Sequence, residues 1–455
     1  MKQKWMALLL ASALALSLLS ASVVAVDEKE TKTTNETRPE ETGAAETVVV
    51  PDAEGTLTFG SLEKRVKEKN YTALALSENI AILDEIDYKK LESQMRDGLN
   101  EIAEMQWELV SGPSMYDSLT AYNAEMAAQT GPANGADMAL AKAFDALSSA
   151  FAKSTDAQLQ AQYDALEKQF DDIRKGKLQK TNDGVKLQLE TAQNQMVMGA
   201  QTLYITLLGL ERSDAALTRS LAALDRTLEE MELRHQMGQI SDLQLSQVKS
   251  GRTQLVSGQQ TMRMNMDLLR MQLNAMIGEE LSAKLTLQPL TAVTQPQLDA
   301  MNVVGDYAQA EKVSYETYAA KQARDDAEET YKDAKKKYGE NSKKMEFTQA
   351  KHTWQAAQYT YDAAMQSFSL KFRTLYAQVK DDAQVLDAAR AALALEQREY
   401  ETAQLKYQQG ALSHNALLDA ENELLSAKDT VSGAESDLYG AYNNYRWAVA
   451  YGILN

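Results

Sequence analysis

The chain contains no cysteine among its 455 residues. That excludes disulfides, thiolate metal sites and a lipid-anchored N-terminal cysteine. Proline is scarce at 6 residues and glycine modest at 21, so little of the chain can form turns. Beyond the first sixty residues Ala, Leu, Glu, Gln and Lys dominate. This composition suits long helices, and an all-α, extended helical body is expected rather than several compact domains. Positive charge is also in deficit: 47 Lys and Arg face 65 Asp and Glu, a formal net charge of −18. Such an acidic surface argues against nucleic acid as a partner, whose phosphates demand a basic face. Of the three histidines, His235, His352 and His414, none has a partner at ligand spacing on its own helix, so all read as solvated surface and no metal is expected. Nucleophile-elbow glycines, phosphate loops and Cys/His clusters are missing too. The chain is read as a non-enzyme without a cofactor.

Long hydrophobic runs are nearly absent. The one exception is Met6–Leu19, preceded by Lys2 and Lys4 and followed by small residues. It reads as a secretory signal peptide over residues 1–25, with cleavage after Ala25 or Ser22; a membrane anchor needs about 20 apolar residues. Residues 26–55 are rich in Thr, Glu and Asp and read as a disordered acidic linker. Residues 56–455 form the helical domain. A break is expected near Asn70. From Ser111 to Gly135, the Gly112-Pro113 and Gly131-Pro132 steps mark loops around at most one short helix. Helix resumes at Ala136, with a break placed at Lys180–Gly184, "KTNDG". Gly278–Gly305 is irregular, with one short strand around "AKLTLQPL". A polar turn centres on Gly339 in "KKKYGENSKK"; it reads as solvated, with contact to wall polymer or lipid headgroups as the alternative. The Met-rich "QQTMRMNMDLLRMQLNAM" reads as core packing.

The strongest feature is internal. Gly238 and Gly410 lie 172 positions apart, and the same shift superposes Tyr204 on Tyr376, Leu221 on Leu393, Leu233 on Leu405, Ser241 on Ser413 and Leu245 on Leu417. Two copies of one unit therefore span roughly 185–278 and 357–452. Leu217, Leu221, Leu224, Leu228 and Met231 step by fours and threes, the seam of a coiled coil. After Gly410 the series Leu417, Ala420, Leu424, Ala427, Val431, Ala434, Leu438, Ala441, Tyr445, Ala448 keeps that spacing. The matching series after Gly238 breaks only at Arg252 and Gln259. No such run crosses either glycine, so each seam is reset there. Glycine supplies a left-handed residue closing one helix, and Ser241 or Ser413 caps the next. Each unit is read as an antiparallel helical hairpin with arms of about 40 to 60 residues, on the order of 60–90 Å.

In "AQTLYITLLGLERSDAALTRSL…ELRHQMGQISDLQLSQVKS" and "KFRTLYAQVKDDAQVLDAARAAL…QLKYQQGALSHNALLDAENELLSAK", the chain resembles the TolC family of outer-membrane efflux proteins. The second copy carries the Tyr-x-x-Gly-x-x-Ser tip and the following Leu-x-Asp-Ala. The opening "LTFGSLEKRVKEKN" is similar to the family's N-terminal helix. The resemblance implies a homotrimer whose hairpins form a hollow α-helical tunnel in an exported, outer-membrane protein. It also implies docking of a periplasmic adaptor (membrane fusion) protein, coupled to an inner-membrane pump of an efflux or type I secretion system. By the same resemblance the adaptor-facing tips are Gly238, Gln239, Ile240, Ser241 and Asp242, and Gly410, Ala411, Leu412, Ser413 and His414. Asp419 matches a carboxylate of the tunnel-entrance gate, whose usual companion is replaced by Ala416. The family also places two β-hairpins per chain at the end opposite the tips. Neither Ser111–Gly135 nor Glu328–His352 shows the alternation of a barrel strand, so the barrel strands are expected to be absent or vestigial. A secreted coiled-coil structural or interaction protein without a pore is the alternative.

Overall fold

A computed structural model describes residues 55–111, 120–121 and 135–454. The chain divides into two units, 1–48 and 49–455, and the described residues belong to the second. The expected signal peptide, nearly all of the expected acidic linker and both Gly-Pro steps lie outside the described residues.

Helix dominates, as composition demands. In chain order the elements are β1 (Thr56–Leu57), α1 (Leu62–Lys69), α2 (Tyr71–Asp84), α3 (Tyr88–Ser111), α4 (Gly135–Arg174), α5 (Lys177–Gln236), α6 (Asp242–Met276), β2 (Thr286–Leu287), α7 (Gln295–Asp299), α8 (Val303–Val313), α9 (Tyr315–Tyr338), α10 (Met345–Gln408) and α11 (His414–Tyr451). The two antiparallel hairpins are α5–α6 and α10–α11. The breaks at Asn70 and Gly339 and the short strand after Lys284 fall where expected. Two expectations need correction. Helix α5 runs through Lys180–Gly184 without a break, and the chain instead turns at Gly176, whose φ is +70°. The arms are also unequal: α6 and α11 have 35 and 38 residues, α5 and α10 have 60 and 64. The long arms overrun their partners to receive a second helix each, α2 on α5 and α9 on α10. Ser77 and Gln193 hydrogen-bond in the first case, and Tyr331 stacks on Trp354 in the second.

At the end away from the turns each hairpin has its own core. The first gathers Val197, Tyr204, Leu207, Leu273 and Ile277 around Leu57, Leu62 and Val66. The second gathers Phe368, Phe372, Val379, Val431, Leu438 and Tyr445 around Ala310. Strands β1 and β2 pair in parallel, Thr56 with Thr286 and Leu57 with Leu287. The Tyr204 hydroxyl lies 2.9 Å from the Leu57 carbonyl and 2.6 Å from that of Gln288, joining the first hairpin to both strands. The buried seam residues of α11 are Leu424, Val431, Ala434, Leu438, Tyr445 and Ala448, six of the ten expected seam positions.

A second duplication appears here. Asn70, between α1 and α2, and Ser314, between α8 and α9, occupy equivalent joints. Val66 and Ala310, four residues before each joint, are both fully buried. The Asn70 side chain accepts from the Thr72 and Ala73 amides and donates to the Met276 carbonyl at 3.1 Å, capping α2 and α6 together. Gly278 presses on Lys69 and Gly452 on Ser314, so each short arm ends with a left-handed glycine against the joint.

Tyr445 donates its hydroxyl to Asp306 of α8. Burial first, then that hydrogen bond, pushes the Tyr445 phenol above its ordinary value. A raised folded-state value means a contribution that is complete below the unfolded value of about 10 and lost as pH climbs past it. Burial raises Tyr307, Tyr318 and Tyr439 as well, with the same sign. Stability is therefore expected to fall as pH rises from about 10 upward. Urea unfolding midpoints across that range measure the decline, and Tyr445→Phe should make it shallower; an unchanged slope in the variant would remove Tyr445 from the account.

Candidate docking tips and the face between the hairpins

The first tip follows from three backbone bonds. The Met237 amide donates to Leu233 O at 3.1 Å, Gly238 to His235 O at 2.8 Å and Gln239 to Arg234 O at 2.9 Å. Gly238 sits at φ +69°, which side-chain-bearing residues rarely adopt. Ser241 then opens α6 with a reciprocal capping box: its amide donates to Gln244 Oε1 at 3.0 Å, and its Oγ accepts from the Gln244 amide at 3.3 Å. The second tip repeats the geometry. Gln409, Gly410 and Ala411 donate to Leu405, Tyr407 and Lys406, Gly410 stands at φ +72°, and Ser413 Oγ accepts from Ala416 at 3.2 Å.

Chemically the tips differ. His235 and Asp242, seven residues apart across the first turn, meet at 2.6 Å. Their equivalents 172 positions on are Tyr407 and His414, whose rings approach to 5.8 Å. The same positions thus bridge both turns, by a polar contact at one and an aromatic contact at the other. Beside the second tip, Arg398, Thr402, Lys406, Leu412, Ala416 and Ala420 line an open groove between α10 and α11.

Within each hairpin the seam is held differently. The two breaks in the apolar series of α6 are both satisfied. Arg252 pairs with Asp225, and Gln259 donates to Asp214 Oδ1 at 3.0 Å and to Thr218 at 2.9 Å. Arg263–Asp214, Arg270–Glu211 and Lys249–Glu232 complete a ladder of α6 cations against α5 carboxylates. Hydrogen bonds from Arg263 hold the Asp214 carboxyl below its ordinary value, and those from Arg252 do the same for Asp225. The second hairpin relies on its apolar seam, with Arg390–Glu435 at 3.1 Å the cross-seam ion pair among the described residues.

Between the hairpins, α5 lies antiparallel to α11, which brings both tips to one end. Arg212, Arg219 and Arg226 recur every seven residues on α5 and face α11. Arg212 reaches Ser436 at 2.8 Å, Arg219 pairs with Asp429, and Arg226 lies 3.8 Å from Asp419. The Asp419 carboxylate is mostly exposed, whereas Arg226 Nη2 is buried without a hydrogen-bond partner. Asp419 therefore stands close to the tips, against the neighbouring hairpin, and the position three residues before it is Ala416, so no carboxylate precedes it there. Sequence reading missed the arginine row; its heptad spacing in "RSDAALTRSLAALDR" was the usable signal. His352 lies exposed in α10, far from either tip.

No protein-family model matches the chain, and no curated protein matches it either. Solved structures do. The outer membrane protein VceC of Vibrio cholerae is 12% identical, with 86% of this chain and 96% of that one covered at a TM-score of 0.44. The MtrE outer membrane channel of Neisseria gonorrhoeae is 13% identical over 84% and 88% of the two chains, TM-score 0.39. The CmeC outer membrane channel of Campylobacter jejuni is 14% identical over 65% and 68%, TM-score 0.38.

Proposed function

We propose that the chain is a TolC-like exit-duct protomer, exported to the cell envelope, that assembles as a homotrimer. Its tips would dock a periplasmic adaptor serving an inner-membrane pump for efflux or type I secretion. One observation carries the assembly. The two hairpins lie side by side in the order α6, α5, α11, α10, and both outer helices retain exposed apolar residues. On α6 these are Met264 at 71% and Leu268 at 53% exposure; on α10 they are Val385 at 52% and Leu395 at 56%. A layer with two unlike apolar edges can satisfy itself head to tail, and such contacts close into a ring when the rotation between copies closes. Adaptor docking rests on the residues Gly238–Asp242 and Gly410–His414, and a gate role for Asp419 on its place beside Arg226.

Because the chain lacks cysteine, introduced thiols report cleanly. Met264 lies 22 residues beyond Asp242 and Val385 lies 23 before Gln408, so the two stand at the same height above the tips. Met264→Cys combined with Val385→Cys is expected to give oxidised dimers and trimers on denaturing gels. A monomer under these conditions and in native mass measurement would sink the ring. Photo-cross-linkers at Gln239 and Ala411 test docking separately, by capture of an adaptor. A second reading, a coiled-coil envelope protein without a pore, is favoured by the helix–turn–helix at Tyr331–His352, where the family places a barrel hairpin. Discrete conductance steps in planar bilayers would exclude it. No helix among the described residues is long and apolar enough to cross a membrane.

A further inference from the structure

The α9–α10 turn stands at the opposite end of α10 from the Gly410 tip, about 95 Å away along one unbroken helix. In a chain with an acidic excess, this turn is basic: between residues 332 and 346 there are six lysines and three carboxylates, Asp333, Glu340 and Glu346. Two of the lysines are occupied, Lys332 by Glu328 and Lys335 by Glu340. Lys336, Lys337, Lys343 and Lys344 are exposed and form no ion pair among the described residues.

Apolar groups share the same point. Met345 is 76% exposed directly after Lys344. Tyr338 closes α9, with Lys337 5.4 Å above its ring. Just behind, Tyr331 stacks on Trp354 at 4.8 Å with an interplanar angle of 5°, and Phe347 is buried against them. This stack fixes the turn, so its lysines are presented by a rigid base.

We propose that the α9–α10 turn is a peripheral contact for an anionic phospholipid surface. The lysine heads meet headgroup phosphates, while Met345 and Tyr338 enter the interfacial layer. Charge alone would suit an anionic polymer equally well. The exposed Met345 and the aromatic base favour lipid, because a hydrated polymer offers an apolar side chain nothing to bury against. The inference stands apart from adaptor docking and from ring closure.

The test is co-sedimentation of the purified chain with phosphatidylcholine vesicles, with and without about 30% phosphatidylglycerol. The apolar run at residues 6–19 contributes equally to every protein compared, so the ratio between the two vesicle types is read. Wild type is expected to prefer anionic vesicles by about ten-fold or more, with the preference lost at high salt. The combined variant Lys336→Glu, Lys337→Glu, Lys343→Glu, Lys344→Glu should abolish the preference, and circular dichroism verifies that its helix content is intact. Met345→Ser is expected to weaken anionic binding without removing the salt dependence. Equal binding to both vesicle types, or an unchanged ratio in the charge-reversed variant, overturns the proposal. So does binding to soluble polyphosphate accompanied by none to vesicles.

Discussion

Replacing Gly452 by alanine is expected to lower stability by about 3–5 kcal/mol, through forced backbone movement rather than loss of contact. Gly452 stands at φ +65°, and a Cβ there would lie 2.4 Å from Ser314 Cα and 2.6 Å from Ser314 N. The obstacle is backbone at the joint between α8 and α9, so no rotamer change relieves it. In the first half of the molecule a Cβ at Gly278 would lie 2.6 Å from the Lys69 carbonyl oxygen, so Gly278→Ala should behave alike. The tip glycines provide the control. Gly410 has an equally left-handed φ of +72°, but the methyl that alanine adds would meet nothing within 4 Å, so Gly410→Ala should cost about 1–2 kcal/mol and leave helix content nearly unchanged. Urea midpoints for the three variants decide the matter. Equal shifts for Gly452→Ala and Gly410→Ala would mean that the close approach at Ser314 is not what fixes the root. Weakened adaptor capture by Gly410→Ala, with stability nearly kept, would tie the second tip to docking.

Gln201→Leu is expected to cost about 2–5 kcal/mol, although it preserves side-chain volume and helix preference. Gln201 Oε1 accepts from Asn443 Nδ2 at 2.7 Å and from Trp447 Nε1 at 2.8 Å, joining α5 to α11. All three residues are buried, so leucine would leave two donors without an acceptor or water. Adding Asn443→Leu removes one of those orphans, and the double variant should recover part of the loss. Strict additivity of the two changes would show that the buried network does not couple the hairpins.

The duplication was legible because its markers are turn residues with few substitutes: Gly238 and Gly410 need a left-handed backbone, and Ser241 and Ser413 need a short hydroxyl. The second duplication was hidden because its markers are interchangeable. Asn70 and Ser314 both precede helices, and their neighbours share little beyond Tyr71 and Tyr315. The misplaced break at Lys180–Gly184 has a tertiary cause. Asn182 is buried and donates to the Tyr88 hydroxyl at 2.8 Å, while Gly184 gives Tyr318 room that a methyl would fill at 3.0 Å. Residues that look like a turn in isolation are there the packing surface for two other helices. The Arg226–Asp419 approach was half legible: the sequence supplied Asp419 by resemblance, and only the antiparallel neighbour supplied its cation.

The unequal distribution of burial along the hairpins has a mechanical meaning. Each is a cantilever, clamped at its root by a buried core and a left-handed glycine against a helix joint, and held toward its turn by partly exposed polar contacts such as Arg226–Asp419. Over an arm of about 55 Å, one degree of rotation at the root carries the tip sideways by about 1 Å. Small repacking around Tyr204, Gln201 or Tyr445 is thereby magnified where Gly238 and Gly410 stand, and stiffness at the root sets how far apart the two tips can swing.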